Sequence, residues 1–236
     1  MTAATLHPDY SARHHYQQPE VHEVYDERRF TSVWGKGVDR LEKRALRRAM
    51  RDVPADALVL ELACGTGRMT EATVGMGFRV LGLDISFGML RNAYRKVGQN
   101  ERLVGLVRSQ AETLPVSAES VDAVMTYRFL HHLGAADRQR VYREMHRVTR
   151  RFAVLQFSST RSILFWLRQW RDRWKGKEPR IGLPHRRFVR ELESAGFRER
   201  KTTFALPGLA ETYVTLFERS EPVTSAGRSR VTTPTL

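Results

Sequence analysis

Two glycines and two carboxylates near the ends of neighbouring apolar runs carry the clearest chemistry in this chain. Gly65 and Gly67 follow the run LVLEL, which contains Glu61. The next apolar run, RVLGLD, ends in Asp84. Glycine lets the backbone turn tightly and approach a ligand, because it has no Cβ. A carboxylate at the end of the following strand can accept hydrogen bonds from both hydroxyls of a ribose. The pattern predicts a site for an adenosyl-type ligand.

An alternation of strands and helices must position these residues. Apolar runs predict strands at 58–62, 79–84, 103–108, 121–127 and 152–157, with helices at 68–76, 87–97 and 137–148 between them. Such alternation indicates a parallel, doubly wound α/β sheet. Two further strands follow a late helix, in a hairpin joined through Pro207-Gly208. We therefore predict a Rossmann-like sheet of about seven strands, the last antiparallel, with helices on both faces.

Two other phosphate-binding patterns are absent from the glycine turn. A dinucleotide-binding turn has the pattern G-x-G-x-x-G, but the run here is CGTGRMTEA, and the third glycine is missing. The pattern G-x-x-x-x-G-K-[ST] of a nucleotide phosphate loop does not occur either. The ligand is therefore expected to be adenosyl-like without being a dinucleotide or a nucleoside triphosphate.

The motifs together resemble class I S-adenosylmethionine (SAM)-dependent methyltransferases, in particular the broad type 11 group. The matching stretches, in order, are VLELACGTG, VLGLDIS, AETLPVSAESVDAV, FLHHL and FVRELESAGF. The resemblance extends over about residues 24–219. It implies the Rossmann-like fold, SAM as the cofactor and methyl transfer as the activity.

The resemblance also implies which residues hold the cofactor. They are Glu61, Ala63, Cys64, Gly65, Gly67, Asp84, Ile85, Gln110, Ala111, Glu112 and Tyr127. Glu61 would orient the methionine end, and Asp84 would hold the ribose. Ala111 would donate its backbone N–H to the adenine. The family commonly has Asp where this chain has Gln110, whose amide oxygen can accept the same hydrogen bond without the charge.

The residues for catalysis are less sharply indicated than those for the cofactor. A base is needed only if the acceptor must lose a proton. His131, in YRFLHHL, is a candidate base, and the alternative is that a histidine of this pair caps the following helix or orders its loop. Tyr25 is a candidate residue of an N-terminal lid, and the alternative for this region is surface decoration. We predict no metal site, because a single cysteine excludes a cysteine-rich one.

A segment after the fifth strand, 161–183, forms a predicted helical insertion. Its apolar residues recur at the spacing of one helix face: Ile163, Trp166, Leu167, Trp170 and Trp174. Between Arg161 and Lys177 six positive residues oppose one aspartate. Such a helix can lie in a membrane interface or dock a partner. The alternative is a cap packed over the substrate cleft.

Composition sets the wider limits. The chain has 236 residues, a net charge of +14 and one cysteine. The charge would suit nucleic acid or anionic lipid, but arginine-rich bacterial proteins often carry such charge without these partners.

No stretch approaches the roughly 20 apolar residues of a membrane span, and the N-terminus lacks a signal peptide's apolar region. We predict a cytoplasmic protein, with possible peripheral attachment at the inner membrane. We expect a flexible segment 1–22, one domain at 23–219 and a disordered tail at 220–236.

The sequence leaves three hypotheses of function open. The favoured one is O- or N-methylation of a small-molecule, lipid-linked or glycan-linked acceptor. The second is an RNA methyltransferase that uses the basic surface, although nucleic acid is the less favoured partner. The third is a SAM-binding regulatory or scaffold protein without turnover. DNA amino-methylation is disfavoured, because TYRF replaces the [DN]-P-P-[YFW] motif, and the absence of a second cysteine disfavours methylation of a cytosine carbon.

Overall fold

The structure is a computed structural model, and it describes residues 33–158, 160, 162–174, 176, 182–204 and 212–220. The predicted segment 1–22, Tyr25, the turn at Pro207-Gly208 and all of the predicted tail except Ser220 lie outside the described residues. The predicted domain bounds therefore stay predictions.

Seven strands form one sheet in the order β3-β2-β1-β4-β5-β7-β6. They are β1 Leu58–Leu62, β2 Arg79–Asp84, β3 Leu103–Arg108, β4 Val121–Thr126, β5 Thr149–Ser158, β6 Phe197–Phe204 and β7 Thr212–Arg219. Strands β1 to β5 pair in parallel, and β7 runs antiparallel to both of its neighbours, β5 and β6. The predicted Rossmann-like sheet with an antiparallel last strand is confirmed.

Helices cover both faces of the sheet. They are α1 Val33–Ala49, α2 Arg68–Val74, α3 Phe87–Val97, α4 Ala135–Val148, α5 Ile163–Trp174 and α6 His185–Glu193. On one face α1 and α2 pack Leu46 and Met69 against residues such as Val154. On the other face α4 and α6 pack against the alternate residues of β5, Leu155 among them. Because both faces are buried, the central strands are apolar over most of their length.

Several boundaries differ from the sequence prediction by two or three residues. Strand β5 begins at Thr149 rather than at 152, because Arg150 pairs with Asp122 across the sheet and a charged residue can therefore extend the strand. Helix α2 ends at Val74 rather than at 76, and Gly75 caps it. The site described below depends on the preceding turn rather than on this end.

The sheet order creates a crevice beside β1. The chain leaves β1 for β2 and β3 on one side and then returns to β4 on the other side. Connections from the carboxyl ends of β1 and β4 therefore diverge, which opens a ligand-binding crevice in doubly wound sheets. In the described part of the chain, no helix is long and apolar enough to cross a membrane.

Candidate active site

One cavity opens at the carboxyl ends of β1, β2 and β4. Ten of the sequence-predicted cofactor residues line it: Glu61, Ala63, Cys64, Gly65, Asp84, Ile85, Gln110, Ala111, Glu112 and Tyr127. The loop after β4 adds Arg128, Phe129, His132 and Leu133 to the lining. The cavity therefore joins the predicted cofactor residues to a second set of side chains that could face an acceptor.

The carboxylate of Asp84 is fixed by backbone amides at the end of β2. Its Oδ2 accepts the Gly65 N–H at 2.9 Å, and its Oδ1 accepts the Ser86 N–H at 2.8 Å. The side chain is buried, and burial raises the pKa of the carboxyl although the amide hydrogen bonds oppose this change. A carboxylate oxygen has more than one lone pair, so both oxygens can still accept a ligand hydroxyl.

Glu61 lies on the buried floor of the cavity with a neutral hydrogen-bond partner. Its Oε2 accepts the Thr70 hydroxyl at 2.7 Å. Burial raises the pKa of Glu61 to about 8, and nearby Asp84 adds to this change, while Thr70 and Arg68 oppose it. Because the hydrogen-bond partner of this buried acid is the neutral Thr70 hydroxyl, a ligand cation placed beside Glu61 would favour its ionised form.

The two glycines of the turn have different structural roles. Both adopt the left-handed conformation, with φ of 56° at Gly65 and 75° at Gly67. A Cβ at Gly65 would meet nothing within 4 Å, and this residue lines the cavity. A Cβ at Gly67 would lie 3.0 Å from Ala93 in α3. Gly67 is not among the lining residues, so its close approach is to a neighbouring helix rather than to the cavity.

Cys64 and Tyr127 line the cavity without the properties of a nucleophile or a base. The Cys64 thiol is buried, and burial raises its pKa well above the usual range, so the reactive thiolate is disfavoured. Burial likewise raises the pKa of Tyr127. The Tyr127 hydroxyl donates to the Glu42 carbonyl oxygen at 3.3 Å. These side chains shape the wall and connect it to α1.

The histidine pair lies in a short 3-10 helix, Leu130–His132, after β4. The two rings are 4.1 Å apart between their centroids, and it is His132, rather than His131, that lines the cavity. Successive residues of a 3-10 helix point in directions about 120° apart, so the two side chains cannot share one orientation. The catalytic role of His131 stays a prediction, and His132 is the imidazole of the pair that lines the cavity.

An ion cluster that the sequence reasoning missed joins α1 to the cavity wall. The carboxylate of Glu42 is 1% exposed and pairs with Arg68 at 2.9 Å and also with Arg128. Asp39, one turn earlier in α1, pairs with Arg68 at 2.6 Å. Both arginines line the cavity. The only sequence signal was the position of Arg68 directly after the glycine turn.

A strained backbone holds Arg128 at the end of β4. Its φ is 54°, which is unfavourable for a residue with a side chain. The buried side chain of Gln156 in β5 accepts the Arg128 N–H at 2.7 Å. Strain of this kind persists where the surroundings hold it in place, and it clusters at functional sites. Gln156 therefore helps to set the path of the loop that carries Phe129 and His132.

No metal-binding cluster accompanies these groups. Within the described residues, no group of three or more His, Cys, Asp or Glu side chains is arranged to hold a metal ion. The polar groups of the cavity instead combine a carboxylate that can accept ribose hydroxyls with a buried acid that suits a cation. SAM presents a ribose and a cationic amine, so the residues present fit this cofactor.

The fold and the cavity of this chain are those of the class I SAM-dependent methyltransferases. Residues 60–156 match the family model of the type 11 methyltransferase domain. The chain thus contains a methyltransferase domain of this class, as the motifs predicted, and SAM is the cofactor of the class.

Curated relatives and solved structures agree with this assignment. The demethylmenaquinone methyltransferase of Thermobifida fusca is 36% identical over 137 residues, which are 56% of this chain and 55% of that protein. A malonyl-[acyl-carrier protein] O-methyltransferase of Hamiltonella defensa is 34% identical over 101 residues, 43% of this chain and 37% of that protein. The chain thus spans about half the length, or less, of these relatives.

Among solved structures, magnesium protoporphyrin IX methyltransferase from Synechocystis, with bound S-adenosylhomocysteine, superposes with a TM-score of 0.72. That match covers 90% of this chain and 100% of the other at 16% identity. The same enzyme with bound SAM gives a TM-score of 0.68 at 16% identity and covers 93% of this chain and 100% of the other. At this identity the likeness shows the fold.

Proposed function

We propose that this protein transfers a methyl group from SAM to a small-molecule acceptor or to a lipid- or glycan-linked one. The observation that carries the proposal is that one cavity joins Asp84 and Glu61 to the loop with Phe129 and His132. When bound, SAM supplies a methyl group on a sulfonium whose positive charge is lost on transfer. In this proposal residues 23–219 form the functional unit.

The roles proposed for the cofactor residues follow from their hydrogen bonds and burial. Asp84 accepts the ribose hydroxyls, because its two oxygens are already oriented by Gly65 and Ser86. Glu61 orients the cationic amine from the cavity floor. Ile85 packs on the adenine, and the backbone amide of Ala111 donates to it. Exact placement of donor and acceptor supplies much of the rate enhancement in such a displacement.

The acceptor side of the cavity combines two apolar side chains with the Arg128 guanidinium and one imidazole. Phe129 and Leu133 would hold a flat or aliphatic acceptor, and the His132 ring could take a proton from a hydroxyl or an amine. His131 as a base, and Tyr25 as a lid residue, stay as further candidates. The names of the relatives include a C-methyltransferase of quinone biosynthesis and O-methyltransferases. The proposed acceptor atom is therefore a carbon as well as the predicted oxygen or nitrogen.

The test is label transfer from methyl-labelled SAM into a lysate of the source organism, separated into lipid, nucleic acid, protein and soluble metabolites. Asp84→Ala provides the matched control, which should transfer no label. Label in lipid or in small metabolites supports the proposal, and a lipid acceptor would agree with a cytoplasmic protein attached to the inner membrane. Label in RNA would refute the proposal in favour of an RNA methyltransferase. SAM binding without any transfer would refute it in favour of a regulatory or scaffold protein.

A further inference from the structure

Helix α5 exposes a row of large apolar side chains that the family assignment does not explain. Trp166, Leu167, Trp170 and Trp174, which we call the tryptophan face, are 60%, 55%, 62% and 78% exposed. The helix begins at residue 163, beyond the last residue of the matched methyltransferase domain. The alternative of a cap with this face packed over the cleft is thus not what the structure shows. Contiguous exposed apolar surface of this kind marks an interaction site.

The helix is anchored to the body through its other side. Phe165 is 2% exposed, and a Cβ at Gly182 would lie 2.7 Å from its ring, so the chain packs closely over it. Trp166, at the edge of the tryptophan face, donates its indole N–H to the Thr160 carbonyl oxygen at 2.8 Å. The burial of Phe165 orients α5 so that the rest of the tryptophan face points to solvent.

Exposed arginines border the tryptophan face on both sides. At about 100° per residue, Arg173 lies beside Trp166 along one border, and Arg171 lies beside Leu167 along the other. Both arginines are exposed. Trp is enriched at the level of lipid headgroups, and a basic border is attracted to anionic lipid. The arrangement matches an anionic lipid interface in both polarity and charge.

We propose that the tryptophan face docks this protein on an anionic lipid surface. Charge complementarity selects this occupant, because the chain carries a net charge of +14 and a second copy would bring like charges together. Leu167, within the face, adds an aliphatic side chain. This side chain suits contact with lipid better than contact with stacked bases. The occupant is therefore a bilayer rather than a second copy or an RNA.

Docking would bring the cavity close to the membrane. Helix α5 follows the carboxyl end of β5, and β5 pairs in parallel with β4, whose carboxyl end leads into Phe129 and His132. The tryptophan face and the acceptor side of the cavity thus belong to the same edge of the sheet. Resting on the proposed function, this placement predicts an amphipathic acceptor that enters from the lipid surface.

The experiment measures binding to vesicles without using the methyl-transfer reaction. Vesicles of phosphatidylcholine with phosphatidylglycerol are compared with vesicles of phosphatidylcholine alone, by co-sedimentation and by tryptophan emission. Three of the four tryptophans of the chain are in the tryptophan face, so its transfer into lipid should shift the emission to the blue. Wild type should sediment with the anionic vesicles and only weakly with the neutral ones.

Two variants separate the face from the rest of the surface. Trp170→Glu should weaken binding to anionic vesicles by about tenfold or more, since it places a charge in the headgroup-level contact. Tyr94→Glu is the matched control: Tyr94 is 59% exposed, lies on α3 near the opposite edge of the sheet, and should bind as wild type does. Equal SAM affinity in all three proteins shows that the fold is intact.

The docking proposal is wrong if wild type stays in the supernatant with anionic vesicles, or if Trp170→Glu binds them as well as wild type does. A dimer that Trp170→Glu dissociates, or binding of an RNA oligomer that Trp170→Glu abolishes, would assign the face to those partners instead. Vesicle binding without SAM binding would overturn the proposed function and leave the docking surface intact. The two claims can therefore fail separately.

Discussion

Replacing Glu61 by Gln tests the role of the buried acid most sharply. Gln has the same shape, and its amide oxygen can still accept the Thr70 hydroxyl that Glu61 accepts at 2.7 Å. The substitution removes only the ionisation. We therefore expect the protein without cofactor to become more stable at alkaline pH and to bind SAM less tightly.

The size of the stability effect follows from the pKa. Burial raises the pKa of Glu61 from 4.5 to about 8, so the folded state retains a proton that the unfolded state has lost between these values. The free energy of unfolding of the wild type should thus fall by about 1.4 kcal/mol per pH unit over this window, relative to the variant. At pH 9 the accumulated difference is about 3–5 kcal/mol, and at pH 4.5 it vanishes.

Denaturant unfolding of both proteins at several pH values measures this difference, and calorimetry measures the link to the cofactor. Near neutral pH the folded wild type holds a proton on Glu61, which should leave when the cationic amine binds beside it. Titration of SAM in buffers of different ionisation enthalpy should show more proton release for wild type than for Glu61→Gln. The argument would be refuted if the difference in the free energy of unfolding between the two proteins did not change with pH and both released equal numbers of protons on binding SAM.

Two further predictions concern the glycine turn and the ion cluster. Gly67→Ala should lower the free energy of unfolding by about 1–3 kcal/mol, and Gly65→Ala by less, because both have positive φ but only Gly67 lies 3.0 Å from Ala93. Equal thermal stability of the two variants would contradict this order. Glu42→Ala should cost about 2–4 kcal/mol, since Arg68 and Arg128 would lose their shared buried carboxylate. Denaturant unfolding that matches wild type would show that solvent screens the cluster.

The sequence was sufficient to predict the bounds of the first three strands and the glycine turn. Strands β1, β2 and β3 have the predicted bounds, because each is an apolar run whose ends are marked by turn residues. Asp84 lies at the end of β2 as expected, since the carboxyl end of a strand is a property of the local sequence and of the parallel order. Local sequence patterns were therefore enough to predict these elements.

The ion cluster and the orientation of the histidines required the tertiary structure. Glu42 is separated from Arg128 by 86 positions, and nothing in either local sequence indicates the other. His131 and His132 are adjacent in sequence, and only the 3-10 turn decides which ring lines the cavity. The exposure of Trp170 was likewise undetermined, because the same helical spacing suits a buried cap and an exposed interface.

The most direct test of the central claim is the affinity of SAM for wild type and for Asp84→Ala, measured by calorimetry on proteins whose fold is verified by circular dichroism. Two charge-assisted hydrogen bonds to the ribose should make the loss about 100-fold or more. Asp84→Asn, which retains an acceptor for one of the two amides of Gly65 and Ser86, provides a second variant that disturbs the turn less than Ala does. Micromolar or tighter binding by wild type, with this loss in both variants, is the predicted result. Unchanged affinity in folded variants would contradict the assignment of the cavity to the cofactor.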